Sequence, residues 1–326
     1  MILGMDTNTM PQSLQEAIAY FSDTDRCFMF AVALRWPTGQ ITCPRCGSGS
    51  DQHSFISTRR LWFCKPCQKQ FTLKVGTIFE DSPLKMDKWM VGFWLLVNCK
   101  NGVSSCEVAR ALKITQKTAW FMLHRLRFAL NAGSIVKMSG EVEVDETFIG
   151  GKARNMHIAQ RKRRITGSGV KGKTAVVGFV ERGGKVQTVV VENRKKNTLQ
   201  AEVRSRVEAG SALYTDELLS YDGLEGQYAH KVINHAVAYV EGVVHTNAME
   251  NFWSLLKRGL HGTYVSVEPF HLFRYLDEQA YRYNMRREND GDRFVEAMGQ
   301  AAGRRLTWKR LTGKLETDDA RQSQTP

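Results

Sequence analysis

Residues 141–150 read EVEVDETFIG, in which charged and apolar side chains alternate up to the first of two glycines. This alternation predicts a β-strand that places Asp145 on the face opposite Val144. The stretch 173–193, KTAVVGFVERGGKVQTVVVEN, predicts a β-hairpin that turns at Gly183–Gly184. Three consecutive strands are therefore expected at the start of this region.

A helix and two more strands are expected next. Residues 197–210, NTLQAEVRSRVEAG, predict a helix with Asn197 as its N-cap and Gly210 as its stop. Short strands and a last helix are predicted at 212–217 (ALYTDE), 231–240 (KVINHAVAYV) and 247–260 (NAMENFWSLLKRGL). This order of elements is that of a ribonuclease-H-like domain. We expect an α/β multidomain protein in which helices flank a mixed sheet.

The charge of the chain favours a polyanionic partner. Lys and Arg number 46 against 33 Asp and Glu, and the formal net charge is +13. A membrane is not expected to be that partner, because the longest apolar run, Trp89–Val97, is far shorter than the roughly 20 residues of a membrane-spanning helix. No signal peptide is visible at the first residues. We expect a cytoplasmic protein that binds nucleic acid.

Four cysteines have the spacing of a zinc site. Cys43-x-x-Cys46 and Cys64-x-x-Cys67 can each place two thiolates on one tight turn. Two disulfides or four unrelated thiols are the alternative interpretation. If zinc is bound, its role is structural, because four thiolates leave no coordination position for a reacting water.

Residues 101–130, NGVSSCEVARALKITQKTAWFMLHRLRFAL, are typical of two helices joined by a tight turn. Val108 and Leu112 would face the core, and Thr115 would cap the second helix. Lys113 occupies the turn position at which glycine would be most comfortable. The side chains that could reach DNA from this helix-turn-helix are Gln116, Lys117, Thr118 and Arg125. Apolar residues at helical spacing are also explained by a core alone.

Three acids occupy the first strand, the fourth strand and the last helix: Asp145, Asp216 and Glu250. Lys257 shares a helix face with Glu250, two turns further on. Phosphodiester chemistry uses two hard cations about 4 Å apart, and carboxylates are the ligands that Mg²⁺ prefers. We expect Asp145 to bridge both metals and Lys257 to bind a phosphate near the scissile bond.

Nearby polar residues leave this ligand set open. Glu146 or Asp222 could replace one of the favoured aspartates, and Asn247 could assist or replace Glu250. A single acid on a strand is more often solvated than catalytic. The interpretation therefore depends on the three positions taken together.

Five stretches give the chain a family resemblance: RWPTGQITCPRCGS, FCKPCQKQFT, VDETFIGGK, YTDELLSYDGL and HTNAMENFWSLLKRGLHGTYVSV. The chain resembles insertion-sequence transposases that join an N-terminal zinc ribbon to a DDE catalytic domain, the ISXO-like branch of the fifteen-ninety-five family. The resemblance implies a triad of Asp145, Asp216 and Glu250 with Lys257 as basic partner. It also implies Mg²⁺ or Mn²⁺ as cofactor, terminal inverted repeats and target DNA as substrates, and a bacterial protein that associates with the nucleoid when it is bound to DNA. From the mechanism, synapsis of two element ends leads us to expect a homodimer or larger assembly.

The expected domains are an N-terminal helix plus zinc ribbon (1–80), the helix-turn-helix (81–135), the ribonuclease-H-like domain (136–290), and a C-terminal helix and polar tail (291–326). Between the first two strands lies a glycine-rich cationic segment that could order on a DNA backbone. Its central cations are Arg161, Lys162, Arg163 and Arg164. The alternatives are a DNA-binding regulator without chemistry, a nuclease that cuts without joining, and an inactive relic.

Overall fold

The computed structural model of the chain describes residues 10–131, 136–151, 156–165, 170, 172–233 and 246–314. These residues divide into two compact units. The first contains residues 10–131 and 285–314, and the second contains the described residues between 136 and 284. Each unit is described by itself.

The first unit combines helices with a small antiparallel sheet of order β1-β2-β3. Its elements are α1 (Leu14–Ser22), α2 (Thr24–Arg35), β1 (His53–Ile56), β2 (Leu61–Cys64), β3 (Lys69–Thr72), α3 (Met86–Asn98), α4 (Ser105–Leu112), α5 (Gln116–Leu130), α10 (Asp290–Gly299) and α11 (Trp308–Leu311).

The core of the first unit is completed by the C-terminal segment. The fully buried ring of Phe294, on α10, lies 5.4 Å from Phe21, 5.9 Å from Phe30 and 5.2 Å from Trp94, measured between centroids. The sequence predicts separate domains for 1–80, 81–135 and 291–326. The structure groups their described residues into one unit, because aromatic side chains distant in sequence share one core.

The turn between α4 and α5 has the geometry that its sequence predicts. The hydroxyl of Thr115 accepts a hydrogen bond from the backbone N–H of Thr118, which confirms Thr115 as the N-cap of α5. Lys113 adopts the left-handed conformation, with φ of 50°. Val108 and Leu112 are buried, as expected for the core-facing side of α4.

The second unit is a mixed α/β layer structure. Its elements are β4 (Glu141–Ile149), α6 (Ile158–Arg164), β5 (Thr174–Glu181), β6 (Val186–Val191), α7 (Lys196–Arg206), β7 (Ala212–Asp216), β8 (Ala229–Ile233), α8 (Asn247–Gly259) and α9 (Leu272–Asn284). The five strands pair in the order β6-β5-β4-β7-β8. The first three are antiparallel neighbours, whereas β7 runs parallel to both β4 and β8.

Helices cover both faces of this sheet. On one face, Val142 and Val144 of β4 share a hydrophobic cluster with Leu199 and Val203 of α7. On the other face, residues of β5 and β6 pack against α8 and α9 in a second cluster. Strand alternation therefore directs Glu143 and Asp145 toward the face covered by α8.

Two predicted boundaries in this region need correction. The helix α7 ends at Arg206, before Gly210, and its N-cap is Lys195 and not Asn197. Asn193 explains the earlier start, since its side-chain oxygen accepts hydrogen bonds from the backbone N–H of Lys195 and the hydroxyl of Thr198. The predicted hairpin turn at Gly183–Gly184 is confirmed between β5 and β6. Residues 234–240 of the last predicted strand lie outside the described residues.

Candidate functional site

Two aspartates meet where β7 ends beside β4. The parallel register pairs Glu143 with Tyr214, so continuing it by two residues brings Asp145 level with Asp216, the last residue of β7. One carboxylate oxygen from each of Asp145, Glu146 and Asp216 lies within 4.8 Å of the other two. We call these three residues the carboxylate cluster. Of the acids that the sequence left open, Glu146 joins the pair, whereas Asp222 is not part of this group.

The cluster is costly to ionise fully. Burial and the neighbouring charge of Asp216 raise the pKa of Asp145 to about 6, partly opposed by hydrogen bonds from the Glu146 N–H and the Trp253 indole. Burial raises the pKa of Glu146 to about 7, although its hydrogen bond from the Tyr221 hydroxyl acts in the opposite direction. A divalent cation would relieve this repulsion, and an all-oxygen ligand set of this size fits Mg²⁺ or Mn²⁺.

The carboxylate of Asp145 is held on both of its oxygens. The indole Nε1 of Trp253, on α8, donates to Oδ2 over 3.0 Å. The backbone N–H of Glu146 donates to Oδ1 over 2.8 Å. The orientation of this carboxylate is thus fixed from its own strand and from the helix packed above it.

Glu143 anchors the start of α8 to the sheet, a role that sequence reasoning missed. Its fully buried carboxylate accepts hydrogen bonds from the backbone N–H groups of Ala248 (3.0 Å) and Met249 (3.2 Å). Its other oxygen accepts from Nε of Arg182 over 2.9 Å. A negative charge at a helix N-terminus is favourable. The available signal was a glutamate inside a strand, on the same face as Asp145 and two residues before it.

The last helix carries the remaining predicted residues. Asn247, Glu250 and Lys257 all have exposed side chains on α8. Glu250 is close enough for its charge to raise the pKa of Asp145, but it does not belong to the carboxylate cluster. Trp253, one turn after Glu250, is the residue of α8 that contacts Asp145 directly.

The four cysteines of the two Cys-x-x-Cys motifs converge in the first unit. Their sulfurs lie within 4.8 Å of one another, with 3.8 Å between Cys43 and Cys67 and 3.5 Å between Cys46 and Cys64. A zinc tetrathiolate with bonds of about 2.3 Å has edges of about 3.8 Å, whereas a disulfide needs about 2.05 Å. All four are free thiols, so the cluster fits zinc and not disulfides.

Most of the predicted DNA-facing residues that the structure describes reach the surface. Gln116 and Lys117 are exposed at the start of α5, Thr118 is half-buried, and Arg161 and Lys162 are exposed on α6. The side chains of Arg163 and Arg164 lie outside the described part of the chain, as do residues 152–155 and 166–169 of the cationic segment.

Arg125 is a correction, because it does not face DNA. Its side chain is 5% exposed. It donates hydrogen bonds to the backbone carbonyls of Glu80 (2.8 Å) and Leu306 (3.1 Å). The position lies on the apolar side of α5, where a long side chain fills the core and satisfies its charge on backbone oxygens.

Two family models match this chain, one in each of its two units. Residues 137–284 match the model of the ISXO2-like transposase domain, and residues 22–70 match the transposase zinc-ribbon domain. An uncharacterized transposase-like protein of Haemophilus influenzae is 37% identical over 101 residues, which are 31% of this chain and 81% of that protein. This chain belongs to the IS1595 family of transposases.

A second relative of this transposase-family chain is an uncharacterized protein in transposable element ISH50 of Halobacterium salinarum. It is 25% identical over 254 residues, which are 74% of this chain and 85% of the relative. No solved structure matches the chain. Among the helices that the structure describes, none has the length and apolar character that crossing a bilayer requires.

Proposed function

We propose that this chain is an active DDE transposase that cleaves DNA at the ends of a mobile element and transfers the strands into target DNA. The observation that carries the proposal is the carboxylate cluster of Asp145, Glu146 and Asp216, which lies inside the region that matches the transposase domain. We propose further that the second unit is ribonuclease-H-like. Numbered within that unit, its strand order is 3-2-1-4-5 with the second strand antiparallel, which supports this assignment.

The ligand set would comprise Asp145 and Asp216, completed by Glu250 from α8 or by Glu146 from β4. Oxygen ligands of this kind hold Mg²⁺ or Mn²⁺. When bound, a pair of such cations supplies an activated nucleophile and stabilises the leaving oxygen of an in-line displacement. Asn247 stays an alternative to Glu250, since both are exposed on the first turn of α8.

The remaining residues would orient the reactants. Trp253 and the Glu146 N–H hold the Asp145 carboxylate in one rotamer. Glu143 fixes the N-terminus of α8 and with it the positions of Glu250 and Lys257. The exposed ammonium of Lys257 would bind a phosphate near the scissile bond.

The first unit would recognise DNA. We propose structural zinc on the four cysteines, and contacts to the terminal inverted repeats from Gln116, Lys117 and Thr118. Synapsis brings two element ends together, so we propose that a homodimer or larger assembly binds the DNA. In the second unit, the exposed side chains of Arg161 and Lys162 on α6 would contact the DNA backbone.

Strand transfer in vitro tests the proposal. Purified protein is incubated with labelled element ends, a supercoiled target and Mg²⁺, beside Asp145→Ala, Asp216→Ala, Glu250→Ala and Glu146→Gln. Joined products from the parent and none from Asp145→Ala or Asp216→Ala are expected, and the other two variants identify the third ligand. Cleavage without joining would indicate a nuclease. DNA binding with no chemistry would indicate a regulator or an inactive relic.

A further inference from the structure

Arg194 lies beside the carboxylate cluster without belonging to it. It follows β6, and its exposed guanidinium lies 4.7 Å from the ring centroid of Phe148. Phe148 is two residues after Glu146 on β4, so alternation places both side chains on the same face of the sheet. The positive charge of Arg194 is near enough to act against the rise in the pKa of Glu146.

The guanidinium is held in place while its donors stay free. Within the described residues, the side chain of Arg194 makes no hydrogen bond and no ion pair within 4.0 Å. Its backbone is fixed, because its carbonyl accepts the Ser220 hydroxyl over 2.7 Å and the adjacent Asn193 caps the turn into α7. Stacking on an aromatic ring restricts a guanidinium but leaves its in-plane N–H groups available for a planar, bidentate acceptor.

The acceptor that this arrangement fits is a phosphate. A DNA strand that enters the carboxylate cluster brings negatively charged phosphates toward three carboxyl groups that lie within 4.8 Å of one another. A guanidinium at the margin of that cluster offsets the repulsion between the phosphates and the carboxylates. It does so without taking the place of a metal cation on the carboxylates. Glu146 interacts with Arg194 through its charge but forms no hydrogen bond or ion pair with it among the described residues, so the guanidinium N–H groups remain available for a phosphate.

We propose that Arg194, stacked on Phe148, binds a backbone phosphate of the DNA strand held at the carboxylate cluster. The inference rests on the proposed function only in taking DNA as the ligand. It does not require that the protein cleaves or joins DNA. It differs from the role given to Lys257, because Arg194 projects from the segment after β6 and Lys257 from the last turn of α8.

Fluorescence anisotropy on the full chain tests this, with a labelled DNA duplex, no divalent metal, and salt varied between 50 and 200 mM. The variants are Arg194→Ala, Arg194→Lys and Phe148→Leu. Lys185→Ala is the charge-matched control, since Lys185 is exposed in the β5–β6 turn, at the end of β6 opposite Arg194. Melting temperatures of all variants show whether folding is affected.

We expect Arg194→Ala to weaken binding by about 5- to 10-fold at low salt relative to Lys185→Ala, with the slope of log affinity against log salt reduced by about 0.9. Arg194→Lys should recover the slope but not the full affinity, because an ammonium keeps the charge without the planar fork. Phe148→Leu should weaken binding by a smaller factor with the slope kept.

An Arg194→Ala variant that matches Lys185→Ala in both affinity and slope overturns the inference, and so does a parent that does not bind DNA. A fall in melting temperature with unchanged slope overturns it as well, since that result indicates a structural role. The proposed function fails separately: a parent that binds through Arg194 but joins no DNA ends loses the transposase assignment and keeps the phosphate site.

Discussion

The indole of Trp253 donates a 3.0 Å hydrogen bond to the carboxylate of Asp145, joining α8 to the central strand of the sheet at the carboxylate cluster. Glu143 makes the second polar connection, two residues earlier on the same strand, to the N-terminus of the same helix. The helix is therefore fixed at its start and one to two turns later. The position of each residue on α8 relative to Asp145 depends on both contacts.

Replacing the indole should weaken metal binding more than it weakens the fold. Trp253→Phe removes the donor to Asp145 but keeps a ring in the core, so the carboxylate loses one of its two orienting bonds. Changes of this kind typically reduce metal affinity by about 10- to 100-fold. Calorimetric titration with Mn²⁺ measures the effect, with Trp308→Phe in the first unit as control. Equal affinity in the two variants would contradict the orienting role.

Gly178 allows α8 to approach β5 closely. A Cβ at this position would lie 2.2 Å from Cε of Met249 and 2.6 Å from Cζ2 of Trp253. Gly178→Ala should therefore destabilise the protein by about 1–3 kcal/mol, and should reduce activity because Trp253 must move. Gly226→Ala is the matched control, since its Cβ would meet nothing within 4 Å. Chemical unfolding of both variants decides, and indistinguishable stabilities would contradict the packing argument.

The metal-free protein should lose stability as the pH rises. The folded-state pKa of Asp145, about 6, lies above its ordinary value of 3.8. The protonated form is therefore favoured by folding, and its contribution is present below about pH 4 and lost as the pH passes through 6. The loss is about 2–3 kcal/mol at most, from about 1.4 kcal/mol per pH unit.

Melting temperatures of zinc-containing protein in buffer without Mg²⁺ or Mn²⁺, measured at pH 5 and pH 8, test this, with Asp145→Asn as the comparison. The variant should show a smaller fall between the two pH values, because its side chain does not ionise. Addition of Mg²⁺ at pH 8 should raise the melting temperature of the parent more than that of the variant. A parent and variant with the same pH dependence would disprove the assignment of the effect to Asp145.

The cysteine cluster should bind one zinc per chain and contribute to folding. Cys64→Ser removes a buried sulfur of the cluster, whereas Cys106→Ser alters an exposed cysteine outside it. Purified parent and Cys106→Ser should each contain about one zinc by elemental measurement, and Cys64→Ser should contain less and melt at a lower temperature. Zinc-free parent protein with an unchanged melting temperature would refute a structural metal.

Arg125 should affect stability and Lys117 should affect DNA binding. Arg125→Ala leaves the carbonyls of Glu80 and Leu306 without their donor and opens a cavity, so a loss of about 2–4 kcal/mol is expected. Lys117→Ala removes an exposed charge and should leave stability within about 0.5 kcal/mol while weakening DNA binding. Urea unfolding and anisotropy, measured on both variants, separate the two roles.

Local patterns predicted much of the secondary structure and part of the site. Alternation located β4, the glycine pair located the β5–β6 turn, and Thr115 was identified as a cap because its hydroxyl acts on the N–H three residues later. The two Cys-x-x-Cys motifs indicated their own convergence, since each turn fixes two sulfurs. Each of these patterns depends on residues close together in the sequence, and few other structures would require the same residue types at the same spacing.

The rest depends on contacts between distant residues. Glu146 lies on the opposite side of β4 from Asp145 by alternation, yet the end of β7 and the Tyr221 hydroxyl bring its carboxylate into the cluster. Arginine is a residue type that often contacts DNA, so the sequence alone favoured that role for Arg125. Its hydrogen bonds to the carbonyls of Glu80 and Leu306 show instead that the side chain is buried. The start of α7 is organised by the side chain of Asn193 and not by the predicted N-cap Asn197, because the chain turns from β6 into the helix at Asn193.

The position of Phe294 has a consequence for synthesis of the protein. A ribosome releases the zinc ribbon and α3–α5 long before it reaches α10, so the aromatic rings of Phe21, Phe30 and Trp94 emerge without the ring that completes their core. The second unit has all of its strands and helices translated before the first can close. A chain terminated after residue 284 would therefore carry every predicted catalytic residue but would lack the ring of Phe294 that completes the core of the first unit.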